Sequence, residues 1–323
     1  MSSSFFKKVY SGIIFLTIFI LSVFFLEFLL KMYGLGEPII YETNPTYRYA
    51  PKANQSVVRL NKSKVTINNK GLRATQKWDS KNLNKILFFG DSVTYGGSYI
   101  DDKEIFSEKV CSNLNKVNKI KYLCGNAGVN AFGVENIKNR ILHGEVKDAE
   151  WMVITLIEEN GFRSLQNVMS IPAFLDKPRF FPAIQEICLY LTWKINVFLR
   201  SGYSYNNTTQ TKKITNSINI FQESFRSLNN TLIKESAKGK KILVVFHPSK
   251  ESILSGVESE EYKLMKNIFN EEKSKLLFLD MFSIIKSSSS SNLYYDSVHL
   301  DKNGHLLFAE KISRIISTYD NKY

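Results

Sequence analysis

Between residues 85 and 316, short continuous apolar runs alternate with stretches of helical periodicity, and few architectures satisfy both. The runs at 85–90, 119–124, 151–157, 241–246 and 276–280 read as strands with no outward polar face. The segments at 102–114, 134–142, 218–235, 260–270 and 304–316 read as helices. In one of them Phe221, Phe225, Leu228 and Leu232 recur at the spacing of a single helical face. A strand that is apolar on both sides has to be covered on both sides, and crossover helices supply that cover. The expected fold is a three-layer α/β sandwich around a parallel sheet of about five strands. In such a sheet, residues that handle a ligand belong just beyond the carboxyl ends of the strands.

Two fragments at such positions carry chemistry. The first expected strand runs through Ile86-Leu87-Phe88-Phe89 into Gly90-Asp91-Ser92-Val93-Thr94, which places the Ser92 hydroxyl in a tight turn past a buried run. Far along the chain, Asp296-Ser297-Val298-His299 offers a carboxylate and an imidazole ahead of the last helix. An imidazole deprotonates a serine, and a carboxylate holds the imidazole in one tautomer. Each fragment alone is common, since Gly-Asp-Ser is ordinary turn chemistry. In this order and with these flanks they point to Ser92 as nucleophile, His299 as base and Asp296 as the group that orients it.

The arrangement resembles the SGNH, or GDSL, family of lipases and esterases over about residues 85–160 and 240–318. That resemblance implies a flavodoxin-like sheet, ester chemistry through Ser92, and neither cofactor nor metal. Leu300-Asp301-Lys302-Asn303-Gly304-His305 continues into a closing helix as members of the family do. The family's second block implies a backbone N–H for the oxyanion, usually at a glycine five positions after an asparagine. Here Asn126 puts Ala131 at that spacing, with Gly128 and Gly133 as alternatives. The third block, Gly-x-Asn-Asp in the family, reads Glu158-Glu159-Asn160-Gly161. Asn160 keeps the amide, while a glutamate replaces the glycine and a glycine replaces the aspartate. The implied oxyanion hole is then the N–H groups of Ser92 and Ala131 with the Asn160 amide. Asn69-Lys70-Gly71-Leu72-Arg73 resembles a segment found ahead of the nucleophile strand in membrane-anchored members.

Residues 13–26 carry no charge, and the apolar stretch continues to Leu30 with only Glu27 inside it. As a helix, 13–30 rises about 27 Å, close to the roughly 30 Å of bilayer hydrocarbon. Tyr10 and Tyr33 bracket it as interfacial aromatics do, and Glu27 meets Lys31 at headgroup level. A cleaved signal peptide is the competing reading, because Lys7 and Lys8 form a basic n-region. The run is longer than a usual h-region, however, and no Ala-x-Ala site follows. The expected organisation is an anchor at 1–33, an extended membrane-proximal segment at 34–84, and a catalytic domain at 85–323. The N-terminus then stays cytoplasmic and the catalytic domain is exported. An insertion at about 161–214 holds a helix at 184–199, rich in Ile187, Leu189, Leu191, Trp193, Ile195 and Phe198. It reads as a cap on the core, with a lid or a bilayer-facing patch as the alternative.

Cys111, Cys124 and Cys188 lack the spacing of a metal site. They read as small buried apolar residues, with a Cys111–Cys124 pair open to an exported protein. The net charge of +13 comes from scattered lysines, without the arginine clusters or interleaved aromatics of a nucleic-acid surface. Such a field suits anionic headgroups or an acidic polysaccharide. The expected substrate is an O-acyl ester on a surface polysaccharide or lipid-linked glycan. Water as second nucleophile makes the protein an esterase, and a sugar hydroxyl makes it an O-acyltransferase. A third reading is a non-catalytic scaffold of a polysaccharide assembly. A nucleotide site is disfavoured, since the glycines at 90–97 have neither dinucleotide-loop nor phosphate-loop spacing. His143 and His247 lie outside the motifs, and His305 reads as a helix-start residue.

Overall fold

The protein, described here from a computed structural model, is traced over residues 3–81, 83–117, 121–163, 165–202, 210–271, 276–288 and 292–322. Its elements begin with helix α1 (Ser3–Met32) and two antiparallel hairpins, β1 (Tyr41–Asn44) with β2 (Arg48–Pro51) and β3 (Gln55–Val58) with β4 (Lys64–Ile67). There follow β5 (Asn84–Phe89), α2 (Ser92–Tyr95), α3 (Phe106–Val117), β6 (Tyr122–Asn126), α4 (Val134–His143), β7 (Trp151–Leu156) and α5 (Glu159–Phe162). The chain continues through α6 (Pro182–Gly202), α7 (Gln210–Ala237), β8 (Lys241–Phe246), α8 (Lys250–Ser255) and α9 (Glu260–Asn270). It closes with β9 (Leu277–Asp280), α10 (Met281–Ser287) and α11 (Lys302–Asp320).

The five later strands make one parallel sheet in the order β6-β5-β7-β8-β9. Side chains alternate between its faces as the pleat requires. Ile86, Phe88, Trp151 and Val153 point to a core shared with Val110, Phe308 and Ile312 of α3 and α11. Leu87, Phe89, Met152 and Ile154 point the other way, to a core shared with Ile137, Phe225 and Met265 of α4, α7 and α9. The three-layer sandwich follows from strands that are apolar on both sides. Sheet order reverses at β5, so the chain ends leaving β5 and β7 diverge and open a crevice between them.

Residues 34–84 are packed, where an extended segment with strands only at 57–60 and 64–67 was expected; the second of these is β4 and the first overlaps the end of β3. Ile39, Tyr41, Tyr49, Val65, Ile67, Leu72 and Trp78 enter the second of these cores. Arg73 bridges Ile67 to Asn126, which docks the second hairpin on the edge of the sheet. The apolar residues of this segment are scattered among prolines and turns, so no periodicity betrays their burial. The Arg73 side chain is fully buried. Its Nε donates to Asp102 Oδ1 at 3.0 Å, and its terminal nitrogens donate to the carbonyls of Tyr95, Gly97 and Ile100. One guanidinium thereby ties down the loop that leaves α2.

α1 has the length and composition of a membrane span. It does not leave the domain untethered. Glu27 pairs with Lys31 at 3.3 Å, as expected, but it is only 6% exposed because its carboxylate also accepts from the N–H groups of Ala183 and Ile184. Those are free donors in the first turn of α6, which a carboxylate satisfies. Cys111 and Cys124 form a disulfide between α3 and β6, where buried thiols were expected. Cys188 is free and exposed on α6.

Candidate active site

Ser92 opens α2 directly after β5. The turn there depends on Gly90, because a Cβ at that position would stand 2.0 Å from Thr94 Oγ1 and 2.8 Å from the Thr155 carbonyl. Asp91 caps α2, its Oδ1 accepting from the Val93 N–H at 2.9 Å. Its Oδ2 accepts from Asn160 Nδ2 at 3.0 Å and from Arg163 at 2.9 Å. Three donors on a carboxylate 1% exposed hold the nucleophile turn from beneath.

Ser92, His299 and Asp296 come together from the two ends of the domain. His299 Nε2 lies 2.8 Å from Ser92 Oγ, and His299 Nδ1 lies 2.7 Å from Asp296 Oδ2. A carboxylate only accepts, so the proton sits on Nδ1 and Nε2 is left as the base facing the serine. Asp296 Oδ1 accepts in turn from the N–H groups of Val298 and His299. Burial pushes the Asp296 carboxyl up, but these two bonds and the imidazole outweigh it and leave it below the usual carboxylate range. The arrangement can take a proton from Ser92 and hold the resulting imidazolium.

The expected oxyanion groups fare unequally. Ser92 N–H begins a helix and, among the described residues, has no acceptor. Ala131 N–H likewise has none. Ala131 sits at φ 60°, third in a turn closed by the Phe132 N–H to the Val129 carbonyl. That backbone conformation favours glycine, so alanine holds the position under strain. Val129 N–H donates to the Gly90 carbonyl, which fastens this turn beside the nucleophile turn. Asn160 is fully buried, and here the structure corrects the expectation. Both protons of its amide are used, one on Asp91 and one on the Phe132 carbonyl, while its Oδ1 accepts from the Ile157 N–H. As placed, Asn160 braces the nucleophile turn against the Ala131 turn and offers no free proton to an oxyanion.

The departures in that third block have local causes. A Cβ at Gly161 would lie 2.5 Å from the rings of Phe221 and Phe225, so α7 packs where an aspartate side chain would stand. Glu158 accepts from Ser259, the cap of α9.

Four supports were not legible in the sequence motifs. Tyr49, from the hairpin ahead of the sheet, donates its hydroxyl to the Asn130 carbonyl at 2.7 Å, and Asn130 in turn donates to Tyr41. The expected extended segment therefore buttresses the Ala131 turn. His247 has a structural task it was not expected to have. It is fully buried, and its Nε2–H donates to the Val298 carbonyl at 2.7 Å, fixing the turn that carries Asp296 and His299. Its place at the carboxyl end of β8 was the available signal. His305 is more than a helix-start residue, since its Nδ1 accepts from the Phe106 N–H at 3.1 Å. Lastly, Tyr99 and Tyr295 stack at 3.9 Å between centroids, Tyr99 being held through its hydroxyl to the Leu300 carbonyl. Tyr295 adjoins Asp296 in the chain and remains 57% exposed.

No protein-family description and no curated protein matches the chain. Among solved structures it is similar to an acetyl xylan esterase variant from Geobacillus stearothermophilus, at 16% identity and TM-score 0.44, over 72% of this chain and 93% of that one. It is similar to the lipase/acylhydrolase from Enterococcus faecalis at 15% identity and TM-score 0.48, over 73% and 97%. A two-domain esterase active on acetylated mannans matches at 14% identity and TM-score 0.43, over 73% of this chain and 49% of that one. Likenesses this distant carry no argument about activity, which rests on the geometry of Ser92, His299 and Asp296.

Proposed function

We propose that the protein is a membrane-anchored serine esterase acting on O-acyl groups of a glycan. The observation that carries this reading is the unbroken chain from Ser92 Oγ through His299 to Asp296, at 2.8 and 2.7 Å. Ser92 attacks the acyl carbon as His299 takes its proton, and the Ser92 and Ala131 N–H groups receive the charge on the carbonyl oxygen. The protonated His299 gives its proton to the leaving sugar oxygen. Water then repeats the sequence on the acyl-serine and frees the acid.

The openness of the site supports a bulky substrate. Asp296 and His299 side chains are 44% and 27% exposed, and Tyr295 presents its outer ring face beside them. An aromatic face of that kind suits the C–H face of a sugar ring. Retention of α1 as an anchor is supported by Glu27, since cleavage after residue 33 would strip α6 of its capping carboxylate. Export is supported by the Cys111–Cys124 disulfide, a bond typical of oxidising compartments.

A fluorophosphonate probe should label the full-length protein, and Ser92→Ala should abolish labelling without lowering the thermal midpoint. Hydrolysis of acetyl, butyryl and octanoyl esters by the same preparations reports acyl length. Labelling that persists in Ser92→Ala would overturn the assignment.

A further inference from the structure

Outside α1, the described residues of the insertion hold many of the exposed apolar side chains. Phe180, Met169 and Phe198 are 82%, 76% and 75% exposed, and Leu191, Ile195 and Leu199 are each about half exposed. From Tyr190 to Leu199 every residue of α6 except Trp193 is exposed, and this half of the helix meets the segment 168–175 along one side. A helix apolar on most sides is not stable in water without a cover.

The joint with α1 says what the cover is. α6 meets α1 through Glu27 and through an edge contact of Phe181 on Phe24 at 5.2 Å. It does not run alongside, because residues 8–22 of α1 are exposed throughout. Counting back from Leu30, the contacts at Glu27 and Phe24 lie about 5–9 Å inside the outer end of the apolar run. An interfacial helix buries its apolar face by about 5–10 Å at the headgroup boundary. Lys177 and Arg179 are exposed just before α6, and Lys194 lies on α6 itself, as an anionic surface would ask. Glu27 is tolerated at this depth because Lys31 and two N–H groups answer its charge.

We propose that α6 and the segment 169–181 lie in the outer leaflet of the bilayer that α1 crosses, so the protein meets the membrane through two elements at a fixed attitude. This rests on the reading of α1 as a retained span. The test uses the full chain with Cys188→Ser, reconstituted into vesicles of phosphatidylcholine and phosphatidylglycerol. A single cysteine is introduced as Leu191→Cys, Phe198→Cys, Phe19→Cys within α1, or Lys116→Cys on α3, and labelled with an environment-sensitive fluorophore. Lipids bearing a nitroxide high on the acyl chain should quench positions 191 and 198 at least about twofold more than aqueous iodide does. Position 19 should behave as membrane-embedded and position 116 as aqueous.

If 19 is in lipid while 191 and 198 answer to iodide, the proposal falls and the anchor stands. Shielding of 191 and 198 from both quenchers would show a protein partner or second copy as the cover, and would also overturn it. Iodide quenching at 19 would remove the anchor and the proposal together, leaving the chemistry of Ser92 untouched.

Discussion

Replacing Arg73 by methionine should unfold the domain well below its normal temperature, and the size of the loss can be worked from the groups left behind. The guanidinium serves Asp102, whose side chain is 1% exposed, and the carbonyls of Tyr95, Gly97 and Ile100. Removing one partner of a buried ion pair costs about 3–5 kcal/mol. At about 2–4 °C per kcal/mol for a domain of this size, the midpoint should drop by about 6–20 °C. Asp102→Asn should cost less, about 1–3 kcal/mol, because Arg73 keeps its three carbonyls. Burial pushes the Asp102 carboxyl up, and Arg73 pulls it down without cancelling that push, so the ionised carboxylate is itself a burden on the fold. The double variant Arg73→Met, Asp102→Asn should therefore be more stable than the sum of the single losses by at least about 1 kcal/mol. Thermal unfolding followed by the fluorescence of buried Trp78 and Trp151 reads all of these. An Arg73→Met loss under about 1 kcal/mol, or strict additivity in the double variant, would refute the clamp.

Ala131→Gly should raise stability by about 0.5–1 kcal/mol, since it relieves a left-handed alanine at φ 60° and pays back part of that in chain entropy. A lower melting midpoint would show that the Ala131 methyl is needed there. Burial holds His247 down to about 4 and His305 down to about 3. The unfolded chain binds these protons from about pH 6.5 downward and the folded chain does not, so stability is full above that pH and falls on acidification. His305→Asn should flatten the denaturation profile between about pH 6 and 4.5 by roughly 1.4 kcal/mol per pH unit, and an unchanged slope would refute burial of the neutral ring. Cys111→Ser with Cys124→Ser should cost about 3 kcal/mol for a loop of 13 residues, read as a shift in urea midpoint.

The sheet was legible because its strands are apolar on both sides and the helices between them are strongly periodic. Expected and observed bounds agree at 241–246 and 260–270. The 119–124 run shifts to Tyr122–Asn126, with 118–120 outside the described residues. Ser92, Asp296 and His299 were named from two short motifs, their order and the family resemblance those carry, and the geometry joins them directly. Asn160 shows the limit of motif reading. A motif supplies the residue type but not which acceptors have already claimed its protons, and here Asp91 and Phe132 claimed both. Tyr49 was invisible, and Arg73 was singled out within 69–73 but given no role, for a related reason. Each works on a loop distant in sequence, where no local pattern connects them. A run of serines at 287–291, which carries no motif, lies partly outside the described residues.

The cover contributed by residues 39–78 has a consequence for biogenesis. A ribosome delivers Ile39, Tyr49, Val65 and Trp78 before any strand of the sheet they sit on exists. These side chains must wait, unsheltered, until β5, β6 and β7 emerge, which is when a chaperone has something to hold. Asp296 and His299 arrive later still, carried on a turn that needs His247 to settle it. Ser92 is thus a plain hydroxyl, with no imidazole beside it, for nearly the whole of synthesis.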